Sequence, residues 1–216
     1  DDEVIFASSI LKTAKKIIIC FGESANEPNI SKSRKTLYEK YPLRNISFLK
    51  IKESPRWQKM SYLPLLNPLE TEYGINKGSS FKGKYKKNFY KIYETLESKL
   101  KNETNIVTHN PWGEYGHPEH IQVHRCICKL AAKFKFKVYV TGYGSGLSSK
   151  LMYKTNHKIS NFALIKNVEK SFFNKLKELY IYSGCWTWDT NYEPPSIEIF
   201  YLLKDYKIES KNSSKN

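Results

Sequence analysis

Apolar residues near the N-terminus recur at helical spacing. Val4, Ile5, Ile10 and Leu11 fall on one stripe, which predicts a helix over 3–14. Two aspartates precede it, where carboxylates suit the positive end of a helix. The period then changes: 16–21 is a short apolar, β-branched run and predicts a buried strand. A loop over 22–28 follows, then a helix capped by Ser31 that runs to about Tyr38 or Lys40 and is ended by Pro42. Weak alternation over 46–51 predicts a second strand. No period is sustained over 54–87, where prolines, Gly-Lys turns and aromatics predict a long, partly irregular excursion, a length that is usually functional. Helical spacing returns at 88–100 through Phe89, Ile92, Tyr93, Leu96 and Leu100. A strand at 105–108, a loop at 109–116, a helix over 117–133 and a strand at 137–141 come next. A Gly-rich turn, a helix over 168–180 and short strands near 196–203 close the pattern.

Strands alternating with helices predict an α/β fold whose sheet is mainly parallel and covered by helices on both faces. A length of 216 residues suits a single domain, expected over 1–208, with a polar, disordered tail over 209–216. In such sheets, sites gather beyond the carboxyl ends of the strands.

Composition narrows the class. No apolar run reaches the length that crosses a bilayer, and no secretory signal is visible, so a cytoplasmic location is expected. The four cysteines form no C-x-x-C pair, which argues against a zinc ribbon or a redox site. The net charge of +15 first suggests an anionic partner. Only Arg34, Arg44, Arg56 and Arg125 are arginine, however, and arginine is the residue that reads bases and phosphates bidentately. The lysine-rich balance therefore reads as compositional bias, and no nucleic-acid partner is expected. The cluster from Lys82 to Lys87 is the local candidate for an anion contact, against the alternative of a solvated loop.

Two segments carry candidate chemistry. Asp1-Asp2-Glu3 stands immediately before a helix, and Gly113-Glu114-Tyr115-Gly116-His117-Pro118-Glu119-His120 lies between a strand and a helix. His117 and His120, three apart at a helix start, can turn toward one site, and imidazole is a common zinc ligand. Adjacent carboxylates can divide labour, one binding a metal and the other taking a proton from water. His109 reads either as a pocket-lining residue or as a plain loop histidine, and Glu114 and Tyr115 either shape a pocket or pack a loop. His124, one turn beyond His120, reads as structural, and His157 as surface. Gly142, Gly144 and Gly146 read as a turn, because their spacing is not the dinucleotide fingerprint. Trp186 and Trp188 suit ring stacking or core packing equally.

The opening Asp1-Asp2-Glu3-Val4-Ile5-Phe6-Ala7 resembles the His-Pro-Asp-Asp-Glu-x-x-x-(Ala/Gly) signature of the GlcNAc-phosphatidylinositol de-N-acetylase family, the PIG-L/LmbE-like zinc-dependent N-deacetylases. The stretch from Thr108 to His120 resembles that family's second signature, with its Gly-His-Pro-x-His core. The resemblance implies a Rossmann-like domain, Zn2+ as cofactor and an N-acetylated amino sugar or glycoconjugate as substrate. It implies Asp1 as general base, Asp2 and His120 as zinc ligands, and His117 as oxyanion stabiliser or proton donor. Arg34 is similar to the family's substrate-contacting arginine, and Glu114, Tyr115 and His109 are expected beside it around the sugar. The implied reaction is removal of the acetyl group by a zinc-activated water. The family signature opens with a His-Pro that would precede Asp1, so the chain is expected to be an N-terminal fragment, without that ligand and the strand before it. The alternatives are a catalytically impaired sugar-binding member of the same fold and a basic nucleic-acid-binding protein.

Overall fold

Asp1 caps the first helix, α1 (Asp2–Leu11), and its carbonyl accepts the N–H groups of Val4 and Ile5. The helix is kinked at Ala7 (φ −150°, ψ 21°). The kink has a visible partner: Glu198 accepts the backbone N–H of Ser8 and of Ser9 at 3.0 Å each, and also both serine hydroxyls, at 2.7 and 2.5 Å. A carboxylate at freed N–H groups acts as an internal N-cap, so the second half of α1 starts afresh on Glu198.

The computed structural model describes residues 1–25, 27–54, 69–76 and 82–206. After α1 come β1 (Ile17–Ile19), α2 (Pro28–Lys40), β2 (Ile46–Phe48), β3 (Leu69–Thr71), β4 (Gly74–Asn76), α3 (Lys82–Leu100) and β5 (Asn105–Thr108). Then follow α4 (Gly113–Gly116), α5 (Pro118–Phe134), β6 (Lys137–Thr141), α6 (Ser149–Thr155), β7 (Ile159–Asn167), α7 (Lys170–Tyr182) and β8 (Ile197–Leu203). Contacts divide the described chain into two units, one from 1–53 and 165–199, the other from 54–164 and 200–206.

In the first unit, β1 and β2 pair in parallel, from Ile17 opposite Ile46 to Ile19 opposite Phe48, with α2 between them in sequence. Val4 and Leu11 of α1, Leu37 and Tyr41 at the end of α2, and Phe172, Phe173, Leu176 and Tyr180 of α7 make its core. Glu3 faces this core and accepts hydrogen bonds from the Tyr41 and Tyr180 hydroxyls at 2.9 and 2.6 Å. Burial, reinforced by the Glu3 charge, pushes both phenols well above their ordinary range, which keeps them as donors.

In the second unit, β5 and β6 pair in parallel, from Asn105 opposite Lys137 to Thr108 opposite Val140. β8 joins β6 antiparallel, with Thr141 opposite Phe200, and the sheet order is β5-β6-β8-β7. Helix α5 packs against α3 and buries Ile121, Cys126, Ile127, Leu130 and Ala131. Its C-terminus closes on Lys135 in the left-handed conformation, whose N–H returns to Ala131.

The structure is a mixed helix and strand fold whose small sheets combine parallel and antiparallel pairs. The combination of helices and strands expected from the sequence is present, with β1–β2 and β5–β6 parallel; a short apolar run such as 197–203 announces a strand but not its direction. The excursion over 54–87 contains an antiparallel hairpin, with Leu69 opposite Asn76, and its last six residues already belong to α3. Tyr85 stands one helical turn before Phe89, and its hydroxyl donates to the Pro118 carbonyl at 2.6 Å, so tertiary contact extends the helix through a lysine-rich start. Residues 55–68 and 77–81 of that excursion, and the tail expected over 209–216, lie outside the described residues. All four cysteines are buried. Among the described residues, no helix is long and apolar enough to cross a membrane.

Candidate metal centre

The segment after β5 is shaped by side chains that take the place of regular backbone pairing. The Asn110 amide donates to the carbonyls of Thr141 and Tyr143, at 3.2 and 2.8 Å, and its oxygen accepts the Glu114 N–H at 2.8 Å. Trp112 donates its indole N–H to the same Tyr143 carbonyl at 2.8 Å. The chain then turns through three residues with positive φ: Gly113 at 66°, Glu114 at 56° and Gly116 at 91°. At Gly113 a side chain is also excluded by space, because a Cβ there would lie 2.7 Å from Ile121 Cγ1. Glu114, with ψ at −77°, holds a conformation that L residues rarely adopt and that persists only where the surroundings enforce it.

The enforcement comes from the Glu114 carboxylate, which is fully buried. Its Oε1 accepts from the Asn110 N–H at 3.1 Å and from the Thr141 hydroxyl. Its Oε2 receives His109 Nδ1 at 3.0 Å and His120 Nδ1 at 2.8 Å. The Glu114 carbonyl accepts from the Ser148 hydroxyl at 2.7 Å. Burial works toward the neutral acid, but the charges and hydrogen bonds of His109 and His120 outweigh it and hold the carboxyl well below the usual carboxylate range. An ionised carboxylate only accepts, so each Nδ1 carries the proton and Nε2 is the nitrogen through which each ring can ligate an ion. This carboxylate–imidazole arrangement is the usual outer partner of a metal-binding histidine. The His109 and His120 rings stack at 4.0 Å and 15°, and each offers a ring nitrogen within 4.8 Å of the other's.

His117 has the opposite polarity. It caps α5, and its Nδ1 accepts the Glu119 N–H at 3.2 Å, so its neutral ring carries the proton on Nε2. Its ring stacks on His120 at 4.3 Å, which makes a column of three imidazoles in the order His109, His120, His117. Tyr115 meets His117 and His120 edge-on, at 5.7 and 5.5 Å respectively. Glu119 accepts from the Ser54 N–H at 3.0 Å and from its hydroxyl through Oε1, while its Oε2 lies 3.7 Å from His117 Nδ1. His124 lies behind the column: it is buried, its Nδ1 reaches the His109 carbonyl at 2.9 Å, and its Nε2 is 3.3 Å from Cys128 Sγ. Burial, helped by the Arg125 charge, pushes His124 down to about 3, and burial pushes the Cys128 thiol up to about 12. Both are therefore neutral, and His124 is the structural residue its place on the helix suggests.

The remaining expected site residues belong to the first unit. The Asp1 carboxylate accepts the Thr187 N–H at 2.7 Å and the Thr187 hydroxyl at 3.0 Å. Asp2 lies in the first turn of α1. Arg34 donates to Glu53 at 2.9 Å. Burial opposes its charge, and Glu53, with Tyr38 and Asp2 nearby, more than offsets that. Trp186 and Trp188 pack edge-on against Tyr180 and against Phe6 and Tyr192, respectively. His157 is exposed.

The second unit thus brings together His109, Glu114, Tyr115, His117 and His120. Glu114 faces inward and orients two histidines. Asn110, Thr141, Ser148 and Thr187 were not legible as site residues; they act through hydrogen bonds between segments distant in sequence, which no local pattern announces. Comparisons with family models, with curated proteins and with solved structures return no match to this chain.

Proposed function

We propose that the protein is a metal-dependent hydrolase that removes the acetyl group from an N-acetylated amino sugar, and that the parent fold is Rossmann-like and cytoplasmic. The observation that carries this reading is the pairing of opposite tautomers within one signature. His120 has its Nδ1 on a buried carboxylate, as a metal ligand does, while His117 has its Nδ1 filled by a backbone N–H and presents Nε2–H as a donor.

The donor chemistry fits zinc, which favours imidazole and carboxylate ligands, and the family resemblance gives Asp2 and His120 that role. When bound, the ion supplies a Lewis acid and acidifies water near neutral pH. The chain's own residues do the rest. Asp1, fixed by the two Thr187 contacts, takes the proton from the attacking water. His117 Nε2–H hydrogen-bonds the carbonyl oxygen as negative charge builds there, and the proton that Asp1 took from water passes to the departing amine. The C–N bond of the acetamide breaks, acetate leaves, and the amino sugar remains. Arg34, kept charged beside Glu53, and Tyr115 are assigned to the sugar.

The test is acetate release from N-acetylglucosamine derivatives. Asp1→Asn removes the base while keeping an acceptor for Thr187, and is expected to lower the rate by about 10²- to 10⁴-fold. An unchanged rate in that variant excludes Asp1 as the base.

A further inference from the structure

We propose that His109 and His120 together form a two-imidazole site for a divalent cation, each ligating through Nε2, with Glu114 as their common outer partner. The inference rests on the metal-dependent reading for the ion's remaining ligands, and adds to it a histidine that lies outside the Gly-His-Pro-x-His core.

Four observations point the same way. Glu114 Oε2 receives both Nδ1 atoms, at 3.0 and 2.8 Å, so one carboxylate sets the tautomer and the ring plane of both histidines. The rings lie nearly parallel at 4.0 Å, and their ligating nitrogens lie within 4.8 Å of one another. The carboxylate's other oxygen is occupied by the Asn110 N–H and the Thr141 hydroxyl, so Glu114 is committed to holding these rings. His109 is also fixed from behind, because His124 Nδ1–H is bonded to its carbonyl at 2.9 Å, and His124 in turn meets Cys128. A loop histidine with no function would not need its side chain and its backbone both tied down by buried groups. The pair is also reachable: the His109 side chain is 22% exposed, whereas that of His120 is 5% exposed. An ion therefore arrives at His109 first.

The experiment uses the metal-stripped protein titrated with Co(II), and separately with Zn(II), and counts histidine ligands by X-ray absorption or pulsed electron paramagnetic resonance. One ion per chain bound through two imidazoles is expected. His109→Gln should weaken binding by about 10- to 100-fold and leave one imidazole. Glu114→Gln should weaken binding while keeping the count at two, because the ligands remain and only their orientation is loosened; a merely structural Glu114 would change stability without changing affinity. If His109→Gln does not fold, the imidazole count of the unaltered protein decides the matter. A count of one, or His109→Gln binding as tightly as the parent, overturns the proposal. Acetate release is measured apart from these titrations. A two-imidazole ion without acetate release upholds this site and sinks the deacetylase reading.

Discussion

Glu114 shows how one residue can join backbone geometry to chemistry. Its positive φ opposes the ordinary preference of an L residue by about 1–2 kcal/mol, and its carboxylate contacts hold that conformation in place. His124 contributes differently, through protonation. Its folded-state value is depressed to about 3, below that of an exposed histidine, so folding favours the neutral ring. The sign follows: the stability this residue contributes is fully present above about pH 6.5 and is lost as pH falls from there toward 3. Urea midpoints at pH 7.5 and 4.5 should therefore fall further in the parent protein than in His124→Asn, which has no proton to gain. Equal losses in the two proteins would show that His124 does not titrate as a buried neutral group.

At the scale of elements, short apolar runs with polar flanks located β5 and β6 to the residue, and the His-Pro pair located the start of α5, because proline suits the first helical turn. The pattern was weaker where tertiary contact decides. Helix α3 begins at Lys82 because Tyr85 reaches Pro118, and α6 and β7 carry no clean period: the burial of β7 does not alternate. The site divided in the same way. His117 and His120 were legible from their spacing on a helix. The joint role of His109 and Glu114 was not, since an irregular loop with positive φ at Gly113 and Glu114 brings them together. The kink in α1 gives an element-scale prediction. Glu198→Ala leaves two backbone N–H groups and two hydroxyls without their carboxylate and should destabilise the protein by about 3 kcal/mol. Glu198→Gln, which keeps an acceptor, should cost less. Denaturant unfolding of the two variants checks the order, and equal costs would remove Glu198 as the cap of the second half of α1.

On the scale of the whole molecule, each unit has its own core, and the net charge of +15 is carried mostly by lysine. A cation bound only by the folded state raises stability by mass action, about 2.7 kcal/mol when the free ion is at 100 times its dissociation constant. Removing metal with a chelator should therefore lower Tm, and adding Zn(II) should restore it; in Glu114→Gln the shift at the same Zn(II) concentration should be smaller. A Tm that does not respond to chelation or to added Zn(II) would leave the imidazole column as a structural network only.

The central claim is that metal and Asp1 act together on an acetamide. The measurement that tests it most directly is acetate release from N-acetylglucosamine derivatives by metal-stripped protein, by the same protein with Zn(II) restored, and by Asp1→Asn with Zn(II) restored. The account predicts release in the second sample alone. Equal release with and without the ion, or with Asp1→Asn, would contradict it.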